Sequence, residues 1–277
     1  MMDELGQALR WARTQLGAQQ RDAEVLLSHL LGMTRAQIYT WPQQKLSTRQ
    51  STQFQQWIQR RQQGEPVAYI VGVKEFWSLA FTVTPAVLIP RPETEHLVET
   101  ILAYGPEAQL NCRAIDLGVG SGALTIALAK ERPNWDWYGL EYHQQALAIA
   151  QCNAVYHGSN IHWIQGHWLQ CLASACIDLI ISNPPYIANH DPQLEAAVIN
   201  YEPRAALISA QSGLADIAQI IEQAPRVLKP KGYLALEHGA HQGAAVHALY
   251  HQAGFEHIFT VTDLNGWPRI TMGQWLN

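Results

Sequence analysis

The sequence predicts an α/β protein: a mostly parallel sheet covered by helices on both faces, with a terminal antiparallel strand pair, preceded by a small all-helical domain and a β-hairpin linker. Three observations lead there. Between residues 113 and 252, short apolar runs alternate with segments of helical period. Beyond them, two β-rich segments flank an Asn265-Gly266 turn signal. The first 67 residues, in contrast, carry only short amphipathic helical patterns. The expected organisation is a helical domain over 1–67, a linker over 68–90 and a larger domain over 91–277.

In the helical part, Asp22 is placed to cap a segment whose apolar residues Val25, Leu26, Leu27, Leu30 and Leu31 run into Gly32, a helix stop. Ser47-Thr48-Arg49-Gln50 has the capping-box pattern and opens a helix with Phe54, Trp57 and Ile58 on one face, closed by Gly64. From Ala68 to Pro90 the character turns β-branched and aromatic, interrupted by turn residues, as in a hairpin. Pro90-Arg91-Pro92 then introduces a helix over about 93–103. Parallel strands follow at Arg113–Leu117, Asp136–Leu140, Ile161–Ile164, Ile177–Ser182 and Gly232–Leu236, with helices near 123–131, 143–156, 213–228 and 240–252. The terminal pair is expected at Ile258–Thr262 and Arg269–Trp275.

With 277 residues, 48% of them hydrophobic and 15% charged, the chain has the composition of a soluble globular protein. Its net charge of −5 is unevenly spread. Up to Gly72 there are 8 Lys and Arg against 5 Asp and Glu, leaving 10 against 18 for the rest. An acidic larger domain speaks against phosphate-tracking chemistry. The four cysteines form no CxxC pair, so reduced buried thiols in a cytoplasmic protein are expected. No segment has the length and apolarity of a membrane span or a leader. His247 and His251 stand four apart on a predicted helix without an evident third ligand, and His238 and His241 near Glu237 suggest a hydrogen-bond cluster, so no metal is expected.

Two segments carry chemistry. Asp116-Leu117-Gly118-Val119-Gly120-Ser121-Gly122 joins a strand to a helix; alternate glycines allow close backbone approach, and the helix N-terminus favours an electron-rich group. The spacing is GxGxG, not the GxGxxG of dinucleotide binders. Glu141 ends the next strand, where a carboxylate can accept from both ribose hydroxyls of a nucleoside. The second segment is Asn183-Pro184-Pro185-Tyr186, directly after an apolar strand. Two prolines fix the backbone, so the carbonyls of Asn183 and Pro184 and the Asn183 side-chain oxygen are rigid acceptors for a substrate NH2, with the Tyr186 ring available to a planar group.

These segments together resemble the class I methyltransferases that use S-adenosylmethionine, whose catalytic domain is Rossmann-like. More narrowly the chain resembles the release-factor glutamine methyltransferase (PrmC/HemK) family. Further matching stretches are Arg21-Asp22-Ala23-Glu24, Gly64-Glu65-Pro66, Glu75-Phe76-Trp77, Leu88 to Glu95, Tyr201-Glu202-Pro203 and Leu236-Glu237-His238-Gly239. The resemblance implies methyl transfer to the side-chain amide nitrogen, N5, of the glutamine in the Gly-Gly-Gln motif of peptide-chain release factors. It implies that Gly118, Val119, Gly120, Ser121 and Gly122 line the cofactor together with Asn183, that Glu141 holds its ribose and Trp168 its adenine. Asn183, Pro184, Pro185 and Tyr186 would hold the glutamine, with Asn183, Pro184 and Tyr186 catalytic. The sequence departs from the family pattern at Val119 for threonine, Glu141 for aspartate and His167 for the aspartate that accepts from the adenine amino group. The alternatives are an N6-adenine methyltransferase on DNA or RNA, a dinucleotide oxidoreductase and a cofactor-binding partner without activity. The first would use the same tetrapeptide on a flipped base.

Overall fold

The structure, a computed structural model, describes residues 4–189 and 200–277. It divides into two compact units: among the described residues the first runs to Val73 and also takes residues 200 and 201, and the second holds the others.

The first unit is helical, with α1 at Leu5–Leu16, α2 at Gln20–Leu31, α3 at Arg35–Thr40, α4 at Thr48–Gln62 and α5 at Val67–Val71. Leu26, Leu27, Phe54 and Ile58 meet in its core. The capping box at α4 is formed: Gln50 N donates to Ser47 Oγ at 3.2 Å and Ser47 N donates to Gln50 Oε1 at 2.9 Å. Asp22 is not the cap of α2. A 3-10 turn over Gly17–Gln19 leads into the helix at Gln20, so Asp22 lies in its first turn and accepts from Arg61 Nε at 2.7 Å. The extended structure expected from residue 68 is helix up to Val71. Pro66 fixes the entry to α5, Gly72 at φ +78° ends it, and Ile70 is buried in the helical core.

The hairpin proper is β1 at Val73–Phe76 and β2 at Leu79–Thr82. Trp77 and Ser78 join them with φ of +51° and +57°, the left-handed pair that a two-residue turn needs to match strand twist. Neither residue is glycine, and tertiary bonds hold the turn: Trp77 N donates to Glu95 Oε1 at 2.9 Å and its indole Nε1 to Glu131 Oε1 at 2.8 Å.

A 3-10 turn at Pro92–Thr94 opens α6, Glu95–Tyr104. The chain then alternates: β3 Arg113–Leu117, α7 Ala123–Glu131, β4 Asp136–Glu141, α8 Gln144–His157, β5 His162–Gln165 and β6 Ile177–Ser182. A two-residue ribbon, β7 Ile187–Ala188 with β8 Ile208–Ser209, precedes α9 Ala215–Val227, β9 Leu228–Glu237, α10 Gly243–Gln252, β10 Glu256–Thr262 and β11 Pro268–Trp275. The sheet order is β10-β11-β9-β6-β3-β4-β5, parallel except for β11, which runs antiparallel to both neighbours. Strand β9 is longer than the apolar run suggests because Lys231, at φ +67°, bulges between two paired stretches.

Apolar side chains bury both faces. Leu97, Ile101, Ile126 and Leu128 cover one, while Ile217, Ile221, Val246 and Tyr250 cover the other. Each such burial contributes roughly 1.5–3 kcal/mol. Of the cysteines only Cys112 is buried, its thiol pushed up to about 12 by desolvation; Cys152 and Cys171 are exposed, against the expectation of buried thiols. Gly139 in β4 leaves room for the Trp163 ring, whose nearest atom would stand 2.4 Å from an added Cβ. Gly139→Ala is therefore expected to lower stability by about 1–3 kcal/mol; an unchanged urea midpoint would show that the ring yields freely.

The strand order creates one switch point. From β3 the chain builds outward through β4 and β5, and β6 returns to the other side of β3. The carboxyl ends of β3 and β6 therefore diverge side by side, where open α/β sheets bind ligands. The glycine loop follows β3 and Asn-Pro-Pro-Tyr follows β6. Ser182 Oγ donates to Leu117 O at 2.6 Å and ties the two strand ends together.

Candidate active site

The loop after β3 is held by strand β4. Gly118 N and Val119 N both donate to Leu140 O, at 2.8 and 3.3 Å, and Gly122 N donates to Val119 O at 2.8 Å. Gly118 and Gly120 take φ of +72° and +54°, which a side chain would strain. Val119 is buried, its Cγ1 beside Gly139, so the residue standing where the family has threonine turns into the protein. Glu141 is also buried and both its oxygens are aimed: Oε2 accepts from Gly120 N at 3.1 Å, Oε1 from His143 N at 2.9 Å. Oε1 also lies 3.3 Å from His143 Nδ1, Oε2 keeps a further lone pair, and Glu141 lines the main cavity.

That cavity has a volume of about 590 Å³ and is bounded by Gly118, Gly120, Glu141, His167, Trp168 and Asn183, among others. It is of the size that holds a nucleoside-bearing cofactor. Trp168 takes a left-handed φ of +44°, costly for its ring. Two contacts fix it there. Its Nε1 donates to Asp216 Oδ1 at 3.2 Å, and its ring packs over Gly118, 3.6 Å from where a Cβ would stand. Asp216 is itself bonded to Ser209 at the end of β8. His167 is exposed on the rim, edge-on to Tyr142 with ring centroids 5.5 Å apart.

Asn183 borders both this cavity and a smaller hollow of about 60 Å³, which is also lined by Arg91, Thr94, Asp116 and Ser121. Its Nδ2 donates to Thr94 Oγ1 at 3.0 Å. Pro185 lines the main cavity, while Pro184 is buried and Tyr186 sends its hydroxyl to Glu237 Oε1 at 3.3 Å. Burial pushes the Tyr186 phenol well above its usual range. Gln242 Nε2 donates to Tyr186 O at 3.0 Å and fixes the exit of the turn.

Two carboxyls behind the site are displaced from ordinary values. Burial raises Asp116 to about 7, against the hydrogen bond from Thr125; burial likewise raises Glu237 to about 7. A carboxyl raised on folding stays protonated in the native state where the unfolded chain has released its proton. Stability therefore falls as pH rises from about 4 to 7 and stays reduced above. For Asp116 the effect is on the order of 4 kcal/mol at most. Asp116→Asn is expected to flatten the decline in unfolding free energy between about pH 4 and 7; an unchanged slope would place its titration elsewhere.

Sequence reasoning assigned no role to Thr94, Glu202 or Asp216, and read Glu237 only as the neighbour of a local hydrogen-bond cluster at His238 and His241. Glu202 pairs with Arg91 and accepts from Ile89 N at 3.1 Å, bracing the wall formed by residues 85–88. Thr94, Glu202 and Glu237 do fall in the stretches that carry the family resemblance, which was the available signal. Asp216 had none.

A seven-stranded sheet in this order, with a nucleoside-sized cavity at its switch point, makes the second unit a class I methyltransferase. Residues 109–266 match the family described as Methyltransferase domain. A solved methyltransferase from Pyrococcus furiosus superimposes with a TM-score of 0.54 at 15% identity, over 71% of this chain and 89% of that one, which shows the fold. Residues 7–72 match the family described as PrmC N-terminal domain. The chain is 43% identical to the release factor glutamine methyltransferase of Shewanella oneidensis, over 98% of its length and 96% of the relative's. It is also 43% identical to that of Escherichia coli K12, over 96% and 97%. The chain belongs to the release factor glutamine methyltransferase family.

Proposed function

We propose that this protein transfers a methyl group to the side-chain amide nitrogen of the glutamine in the Gly-Gly-Gln motif of peptide-chain release factors. The methyl donor is S-adenosylmethionine. The observation that carries the reading is Asn183: its Nδ2 is engaged by Thr94, and its Oδ1, at the end of β6 between the two cavities, accepts no hydrogen bond among the described residues.

Gly118, Val119, Gly120, Ser121 and Gly122 supply the loop against which the cofactor lies, Glu141 accepts from its ribose hydroxyls, and Trp168 flanks its adenine. His167, when neutral, offers one ring nitrogen where the family has a carboxylate. When bound, the cofactor supplies a methyl on a sulfonium, which leaves as a neutral thioether.

An amide nitrogen is a weak nucleophile because its lone pair is shared with the carbonyl. Asn183 Oδ1 and the Pro184 carbonyl compensate by accepting its two N–H groups and aiming the nitrogen, so orientation is the main contribution. Pro184 and Pro185 keep these acceptors rigid, and Tyr186 presents its ring to the amide plane. The nitrogen becomes acidic only as it gains charge, and its proton leaves to solvent without a dedicated base.

The helical unit, with its surplus of basic residues, serves as a docking element for the release factor in the cytoplasm. No helix of the described residues is long and apolar enough to cross a membrane. The acidic larger part disfavours the N6-adenine alternative. Incubation with labelled S-adenosylmethionine, an unmethylated release factor and duplex DNA separates the readings. Label in the protein alone is expected; label in the DNA would reverse the choice.

A further inference from the structure

One side chain of α8 joins the glycine loop to the hairpin. Asn153 is 2% exposed, and both polar atoms of its amide are used. Oδ1 accepts from Thr82 N at 2.9 Å, while Nδ2 donates to Thr82 O at 3.0 Å and to Ser121 O at 2.9 Å. The amide has one workable orientation, since turning it over would set donor against donor at Thr82 N and oxygen against oxygen at the two carbonyls. One turn further along α8, His157 Nε2 lies 2.8 Å from Ala80 O, and its ring centroid is 5.0 Å from that of Phe81. Alternate residues of a strand present their backbone groups to one edge, so Asn153 and His157, four apart on one helix face, cover one edge of β2. His157 makes no bond to the glycine loop among the described residues; Asn153 does.

We infer that Asn153 is a positioning residue for the cofactor: its amide sets the glycine loop against β2 and against the stretch that follows β2, and so fixes the width of the cofactor cavity. This rests on the function proposed above. Gly118 and Gly120 of the loop line that cavity, and so do Pro85, Ala86, Val87 and Leu88. Thr82 is tied closely to the latter four. A short turn follows it, in which Val87 N donates to Thr84 O at 3.0 Å and Ala86 N to Thr84 Oγ1 at 3.3 Å. Asn153 and Thr82 border neither cavity themselves, so any effect they have on the ligand passes through the loop and residues 85–88.

The bond to Ser121 O is the one that matters for binding. Ser121 is buried just before the start of α7, and without Asn153 its carbonyl would lose the partner that holds the loop toward α8. Two stretches of the cavity wall are thereby referred to a single amide. Coupling of this kind is reciprocal: a ligand that favours the assembled arrangement also secures Thr82, which it does not touch.

Asn153→Asp and His157→Ala test this. The first keeps the shape and the acceptor for Thr82 N but sets oxygen against the carbonyls of Thr82 and Ser121; the second frees the same strand without altering a bond to the loop. Calorimetric binding of S-adenosylhomocysteine is measured beside the kinetics of methyl transfer to an unmethylated release factor. Asn153→Asp is expected to raise the dissociation constant and the KM for S-adenosylmethionine about 5- to 30-fold, with kcat at saturating cofactor within about threefold. His157→Ala is expected to lower the melting temperature and leave the dissociation constant within about twofold. A merely structural asparagine would reduce the folded fraction, read as binding stoichiometry, and leave the affinity of that fraction unchanged. Should Asn153→Asp not fold, hydrogen exchange of the wild-type protein decides: S-adenosylhomocysteine is expected to slow the Thr82 amide about fivefold or more, beyond any change in β10. Unchanged affinity in Asn153→Asp, an equal loss of affinity in His157→Ala, or Thr82 exchange indifferent to the ligand would overturn the inference. A wild-type protein that binds no S-adenosylhomocysteine would remove the proposed function itself, and this inference with it.

Discussion

Asn183→Ala is expected to lower turnover by about 100-fold or more while leaving cofactor affinity within a few-fold. The Pro184 carbonyl would remain, held by the two prolines, but one of the two acceptors that orient the amide would be gone. Misplacement of a nucleophile by about 1 Å costs on the order of 100-fold. The fold is expected to survive: the bond from Ser182 to Leu117 still ties β6 to β3. Steady-state kinetics beside calorimetry check this. Equal losses in turnover and in cofactor affinity would make Asn183 a cofactor ligand first.

The second large effect lies at Glu141. Its carboxylate organises Gly120 and His143 as well as facing the cavity, so Glu141→Ala removes the ribose acceptor and leaves two backbone N–H groups without their partner. A hydrogen bond to a charged group contributes about 1.5–3 kcal/mol, or roughly 10- to 150-fold in affinity. The dissociation constant for S-adenosylhomocysteine is expected to rise by that factor, with a smaller fall in kcat at saturating cofactor. Unchanged binding would remove Glu141 from the cofactor site. Glu141→Asp, which restores the family's usual residue, is a useful comparison: its shorter arm retracts the carboxylate from the Gly120 N–H that Glu141 reaches at 3.1 Å.

The sheet and the elements that precede the site were legible because they are written locally. An apolar run ending in Asp116-Leu117-Gly118 and another ending in Ser182-Asn183 announce two strands that deliver chemistry at their carboxyl ends, and Glu141 follows from the same rule one strand later. The turn at Trp77-Ser78 was not legible, because its left-handed pair contains no glycine or asparagine and is maintained by Glu95 and Glu131 from elsewhere. Helix α5 was misread because Val67–Val71 is an apolar run of strand-like composition whose helical state depends on Pro66, Gly72 and a place in the helical core. The partners of the site are harder still. Thr94 and Asn183 are 89 residues apart, and Trp168 and Asp216 are 48 apart. Such pairs meet only once strand order is known, and no periodicity encodes them. Val119 shows the converse: the sequence marks it as a departure from threonine, and only the fold shows its side chain buried beside Gly139.

The most direct measurement is peptide mapping by mass spectrometry of a release factor purified without methylation, after incubation with this protein and S-adenosylmethionine. One added methyl is expected on the glutamine of the Gly-Gly-Gln motif, present with the wild-type protein and absent with Asn183→Ala. A methyl on another residue, or no methyl while calorimetry shows the cofactor bound, would contradict the proposed reaction.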